Sequence, residues 1–316
     1  MSKITKPGIY YDMQAADYFA DPCPEPSLTQ SIAKVLIERS ALHAKCEHPR
    51  LRPQVEAIEE PEKYVAAQAI GNAAHLSMIR RGKEIAVAEF DSWRSDKSKA
   101  FREAAEAAGK TPILEKHMLR AHAMVLAARL QLIDGGFTLA FANGEGNGEV
   151  CIAWEEDGLW FRSLIDWMPQ YMDVFYDYKT TGMSVAPHGI GRMMVDAGWD
   201  VQAAMHERGL AILDPGIKPK PTKRRYRFVV QENEPPYALI VCELSDAVME
   251  MGRRKLEYAV GIWRTCMRTG AWPSYPAELH VPEYPGWAEA GWLNREIHEA
   301  GRRRAPQIAS DHLMAG

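Results

Sequence analysis

The 316-residue sequence contains no run approaching the roughly 18 apolar residues that a membrane span requires. Its opening, Met1-Ser2-Lys3-Ile4-Thr5-Lys6-Pro7, lacks the apolar centre of a secretory leader. The expectation is a cytoplasmic protein with no membrane partner. Cysteine is scarce: Cys23, Cys46, Cys151, Cys242 and Cys266 are an odd, scattered set without a C-x-x-C pair, which argues against a disulfide framework, a zinc ribbon and an iron–sulfur cluster. Positive charge is not in excess, since 38 Lys and Arg face 42 Asp and Glu for a net charge of −4. No global basic field therefore points to a polyanion, and any such site must be local. There is no G-x-S-x-G serine-hydrolase elbow and no internal repeat. Gly144-x-Gly146-x-Gly148 is followed by a strand pattern rather than a helix, so it reads as a flexible turn and not as a dinucleotide loop.

What is present is the composition of a folded globular protein, 47% hydrophobic and 25% charged. At about 150 residues per domain the length allows two domains or one large α/β domain. Ser27 to Leu42 reads as a short capped helix inside a proline-rich arm, and Pro61-Glu62-Lys63 opens a helix running to about Arg81. Ser95 to Leu132 is rich in helix formers and is interrupted near Gly109 to Pro112. Three β-type runs follow, Glu149 to Glu155, Leu159 to Asp166 and Met172 to Lys179, the first two joined by the hairpin signal Asp157-Gly158. Gly191 to Leu213 returns to helical period, Arg225 to Val230 and Tyr237 to Leu244 read as strands, and Asp246 to Thr269 as a long helix. We divide the chain into an arm over 1–60, a core over 61–282 with a helical insertion around 95–132, and a tail over 283–316.

The third β-run carries the chemistry. In Asp177-Tyr178-Lys179 the alternation puts a carboxylate and an ammonium on one face. With the preceding turn centred on Gln170-Tyr171, Asp166 lies opposite Phe175 and Asp177 becomes its same-face diagonal neighbour at roughly 7 to 8 Å. Two carboxylates so placed suit Mg²⁺ or Mn²⁺, and a nearby lysine can steady charge building on a phosphate. Taken alone, D-x-K is more often a surface pair on a hairpin, and a lone helical histidine such as His75, on the helix after Pro61, is usually a structural one. Lys218, Lys220, Lys223, Arg224 and Arg225 form a basic segment that reads either as a phosphate-tracking loop or as a solvated one.

Together, Gly71-Asn72-Ala73-Ala74-His75, Ile165-Asp166, Asp177-Tyr178-Lys179-Thr180 and Gly198-Trp199-Asp200-Val201-Gln202-Ala203-Ala204 resemble, in order, the motifs of the PD-(D/E)XK nuclease core in its RecB-like branch. The resemblance is to the phage exonuclease VIII (RecE) type nuclease domains and spans about residues 10 to 280. Weaker echoes lie at Tyr18 to Ala44, at Pro235-Pro236-Tyr237 and at Trp272-Pro273-Ser274-Tyr275. It implies an α/β fold with a central mixed sheet flanked by helices and a helical N-terminal extension. It further implies His75, Asp166, Asp177 and the backbone carbonyl of Tyr178 as metal ligands, Lys179 as the catalytic lysine, and Gln202 as a residue holding the site or the scissile phosphate. Glu149 stands where relatives often carry an acid behind the ligands; a solvated strand-end glutamate fits that position equally. Trp199 and His206 occupy positions where relatives carry tyrosines, a departure that bears on DNA contacts of that helix and not on the ligands.

The implied activity is Mg²⁺- or Mn²⁺-dependent hydrolysis of DNA phosphodiesters, as an exonuclease on double-stranded ends in phage recombination. A single-strand annealing protein and a homo-oligomer are the implied partners. The alternatives are an endonuclease on the same core, for repair or defence, and a catalytically silent DNA-binding or interaction module.

Overall fold

A computed structural model describes residues 4–53, 62–213 and 223–304. The elements are β1 (Gly8–Tyr10), α1 (Ala15–Phe19), β2 (Ser27–Leu28), α2 (Gln30–Glu38), α3 (Ala41–Glu47), α4 (Glu62–Ile79), β3 (Ile85–Ala88), α5 (Asp96–Ala107), β4 (Thr111–Leu114) and α6 (Glu115–Asp134). They continue with β5 (Gly146–Glu156), β6 (Leu159–Pro169), β7 (Val174–Thr181), α7 (Pro187–Ala197), α8 (Trp199–Leu213), β8 (Arg225–Glu232), β9 (Leu239–Glu243), α9 (Asp246–Thr269) and α10 (Gly286–Arg304). The chain divides into two compact units, residues 1–274 and 275–316.

The first unit is a mixed α/β structure with a central mixed sheet flanked by helices. The sheet has seven strands in the order β1-β5-β6-β7-β8-β9, with β2 beside the start of β6. The β7–β8 pair is parallel, whereas β5–β6, β6–β7 and β8–β9 are antiparallel. Alternation along the strands supplies two cores. Val150, Ile152, Phe175 and Phe228 pack against α2, α8 and α9, while Val174, Tyr176, Tyr178 and Val229 pack under α4 and α6.

Several local expectations shift. The Ser27 to Leu42 stretch is a two-residue strand followed by two helices, because Thr29 and Ser40 each cap a new helix start with a side-chain oxygen. The interruption near Gly109 to Pro112 holds β4, which pairs in parallel with β3. Gly146 and Gly148 are drawn into β5 rather than left in a turn. A Cβ on Gly146 would come within 2.5 Å of the Met168 carbonyl oxygen, and one on Gly148 within 2.5 Å of Ile79. These glycines serve close approach. Gly198, at φ +73, splits the expected Gly191 to Leu213 helix into α7 and α8. The Asp157-Gly158 hairpin forms as read, with Glu156 paired to Leu159 and both turn residues at positive φ. Pro61 lies outside the described residues.

The leading segment is locked to the sheet by buried charge. Asp21, at φ +64, accepts hydrogen bonds from the Ser27 backbone N–H and hydroxyl and sits 2.9 Å from Arg162 of β6. β2 then occupies the edge of β6 at Trp160 and Phe161, while β7 takes it over only at Trp167. Between them the edge of β6 is open, and the candidate site occupies that gap.

Candidate active site

Helix α4 reaches the gap because its residues are small where it meets the sheet. A Cβ on Gly71 would sit 2.9 Å from the Thr180 hydroxyl, and Ala73 and Ala74 are fully buried. Gly71 and the alanines therefore bring His75 to the sheet. Its Nε2 lies 3.2 Å from Asp166 Oδ2 and its Nδ1 3.6 Å from Glu149 Oε1.

The register differs from expectation by two residues. The β6–β7 pairing sets Trp167 opposite Tyr176, which brings Asp177, and not Phe175, level with Asp166. The turn falls one residue later than Gln170-Tyr171 because Met172, at φ +50 and buried, turns into the core with its N–H on the Pro169 carbonyl. On the other side, Gly148 pairs with Trp167 and Val150 with Ile165, so Glu149 is level with Asp166 as well. Three acids thus stand at one level of three adjacent strands. The two aspartates do not lie side by side on one face as expected. Asp177 alternates with Tyr176 and Tyr178 and leaves toward α8, where Gln202 Nε2 donates to its Oδ2 at 2.5 Å. Asp166 turns toward α4 and accepts the Tyr178 backbone N–H at 3.1 Å. The Asp166 charge still acts on Asp177.

Lys179 Nζ is 2.6 Å from Asp177 Oδ1. At that distance the ammonium is a charge-assisted donor to the buried oxygen. The electrostatics separate the two aspartates. Burial alone would raise Asp166, but His75, Lys179 and the Tyr178 N–H outweigh it and hold the carboxyl well below the ordinary carboxylate range. Asp177 is pushed up to about 6 by burial and by the Asp166 charge, against the pull of Lys179. Burial would lower His75 and Lys179, yet the surrounding carboxylates raise both. Glu149 is raised by burial, and its φ of +47 marks a strained backbone at this point.

Among the described residues no set of three or more His, Cys, Asp or Glu side chains is arranged as a ready metal cage. The acids instead engage basic neighbours: Asp166 faces His75, and Asp177 faces Lys179. The donor chemistry, carboxylates with one imidazole, nonetheless fits a hard divalent cation.

A cavity of about 970 Å³ opens over this cluster, lined among others by His75, Glu149, Asp166, Tyr178, Lys179 and Gln202. Its other cations are Arg52, Lys83 and Arg162. Arg162 could have been found by stepping back along β6 from Asp166 in twos, a face the sequence reading did not follow. The basic segment is elsewhere. Lys218 and Lys220 lie outside the described residues. Lys223 is paired with Asp246 at 2.5 Å, and neither it nor Arg224 or Arg225 lines this cavity. Arg224 borders a separate pocket between α8 and α9. Trp199 stacks on Phe228 at 4.9 Å, and His206 is buried, pushed down to about 4 by burial, with a bond to the Leu164 backbone. Both are buried in the fold, so neither substitutes for an exposed tyrosine.

No protein-family model matches this chain, and no curated protein matches its sequence. Among solved structures, a Eubacterium rectale protein provisionally named an exonuclease superposes with a TM-score of 0.57 at 10% identity, covering 87% of this chain and 96% of that one. At that identity the likeness establishes a shared fold alone. A second solved protein, SSO0001, aligns at 12% identity over 79% of this chain and 97% of that one, with a TM-score of 0.26 too low to carry an argument.

Proposed function

We propose that the chain is a divalent-metal-dependent deoxyribonuclease of the PD-(D/E)XK kind, acting as an exonuclease on double-stranded DNA ends. The observation that supports this reading best is the row of Glu149, Asp166 and Asp177 across three strands, with His75 and Lys179 directly upon it. The Eubacterium rectale protein that shares the fold is itself provisionally named an exonuclease.

In this reading Asp166, Asp177 and His75 hold the cation, Mg²⁺ or Mn²⁺. The carbonyl of Tyr178 joins them, because it leaves the strand on the same edge as the N–H already bound to Asp166. A cation held there would polarise the scissile phosphate and lower the pKa of a bound water. The remaining work falls to the chain's own groups. Lys179, positioned by Asp177, donates to the phosphate and steadies the charge that develops on it. Gln202 fixes the Asp177 carboxylate from behind. Glu149 faces His75 Nδ1 and so orients the ring with Nε2 toward Asp166. Arg52 and Lys83 give the cavity wall the positive charge that a DNA backbone requires, whereas Arg162 is spent on the buried Asp21. Phage recombination is the setting we propose, with a single-strand annealing protein as functional partner.

The test is incubation of linear duplex DNA and of covalently closed circles with the purified protein, in Mg²⁺ and then in EDTA. The reading expects nucleotides released from the linear substrate in Mg²⁺ alone. Cleavage of circles would make it an endonuclease. No hydrolysis of either substrate would reduce it to a binding module.

A further inference from the structure

Helix α4 carries a polar stripe beside the face that packs on the sheet. Gln68, Gly71, Asn72 and His75 stand at i, i+3, i+4 and i+7, so they share one side of the helix, and all four line the cavity over the acids. Gln68 and Asn72 are exposed, and neither side-chain amide is bonded to any described residue. Other polar groups of the cavity wall are committed: Gln202 donates to Asp177, Gln30 accepts from the Ser163 hydroxyl at 3.2 Å, and Arg162 pairs with Asp21. From Ala69 to Ala74 the helix has no charged residue, so no acid on this stretch repels an anion or consumes a donor.

We propose that Asn72 and Gln68 hold two successive backbone phosphates of the DNA strand whose scissile phosphate lies at Asp166 and Lys179, Asn72 the nearer one and Gln68 the next. The proposal rests on the nuclease reading and adds to it the path of the bound strand. Four residues advance a helix by about 6 Å, comparable with the step from one backbone phosphate to the next. The stripe ends at His75, against Asp166, so it runs outward from the reacting phosphate along the line that the backbone takes. Amides suit the task. Nδ2 of Asn72 and Nε2 of Gln68 each offer two donors, and Asn and Gln are among the side chains that bind phosphate oxygens in protein–DNA complexes. Such contacts fix position and carry no sequence information, so the strand is gripped for two nucleotides beyond the cut whatever its bases.

The experiment is fluorescence anisotropy of dye-labelled linear duplex DNA with the full chain in EDTA, where binding is read without hydrolysis. Asn72→Ala and Gln68→Ala should each weaken binding by about 3- to 10-fold, as loss of one hydrogen bond does. Neither should lower the melting temperature, since both sites are exposed and alanine is the strongest helix former. Duplexes with a single uncharged methylphosphonate, moved one position at a time from the end, identify the contacts. For each variant there should be one position where the methylphosphonate weakens the wild type and has no further effect on the variant, and the two positions should be neighbours. A·T-rich and G·C-rich ends should lose equally. Unchanged affinity in both variants overturns the proposal, as do losses that add to the methylphosphonate effect at every position or that depend on base composition. The nuclease reading is tested separately by adding Mg²⁺. Coupled losses without hydrolysis leave the phosphate contacts standing and end that reading, and hydrolysis with unchanged binding does the reverse. A wild type that does not bind the duplex overturns both.

Discussion

At the scale of single residues, the two aspartates are held on opposite sides of the ordinary carboxylate range, and this has consequences that do not depend on turnover. Asp177 is raised from 3.8 to about 6, so the folded chain binds its proton more tightly than the unfolded chain does. The stability this contributes is fully present below about 4 and is lost as pH rises through about 6. In EDTA, Asp177→Asn should therefore melt higher than the wild type at pH 7.5, with the difference vanishing toward pH 4. Mg²⁺ should raise the melting temperature of the wild type more than that of the variant, since binding to the folded state alone stabilises it. Lys179→Ala is expected to lower the hydrolysis rate by about 100-fold or more, as loss of one donor to developing charge does elsewhere, while leaving the fold intact. Glu149→Gln, which keeps the shape but weakens the hold on His75, should cost roughly 10- to 100-fold in apparent Mn²⁺ affinity by titration calorimetry. Retained affinity in that variant would make Glu149 a bystander.

Elements meet at this site through glycine. Gly252 of α9 touches α8 so closely that an added Cβ would lie 2.2 Å from the Asp200 carbonyl oxygen, a rigid obstacle. Gly252→Ala should cost at least about 1–3 kcal/mol in denaturant unfolding, because the two helices must separate. Gly71→Ala meets only the Thr180 hydroxyl, at 2.9 Å. Its effect should appear in catalysis rather than stability, by moving α4 and His75 outward, and a paired measurement of unfolding and hydrolysis distinguishes the two. The same scale explains what could be read in advance. The long helix α9 begins at the Ser245 cap and ends at Gly270, both visible as local signals, and the expected limits Asp246 and Thr269 match. The parallel pair β3 and β4 was not legible, since each is four residues long and neither alternates cleanly in burial.

For the molecule as a whole, the 275–316 unit is compact by itself, and its helix α10 exposes Trp287, Leu293 and Ile297. If the 1–274 unit folds by itself, a chain ending at Ser274 should melt within a few degrees of the full chain; a large loss would show that the tail is part of the fold. The cavity brings Arg52, Lys83 and Lys179 together in a chain of net charge −4. Affinity for DNA should accordingly fall steeply between about 50 and 200 mM salt, as phosphate contacts dictate.

By itself the sequence determined the class of fold and which residues are candidates for the site. Hydrophobic period, caps and the Asp157-Gly158 turn are local properties, and His75, Asp166, Asp177 and Lys179 stand on elements that local properties identify. Only the tertiary structure decided how those side chains meet. Strand register depends on where Met172 is buried, which set Asp166 level with Asp177 and Glu149 beside both. The opening in the edge of β6, where β2 gives way to β7, depends on β2 pairing with a strand more than a hundred residues away, which has no signature in either segment.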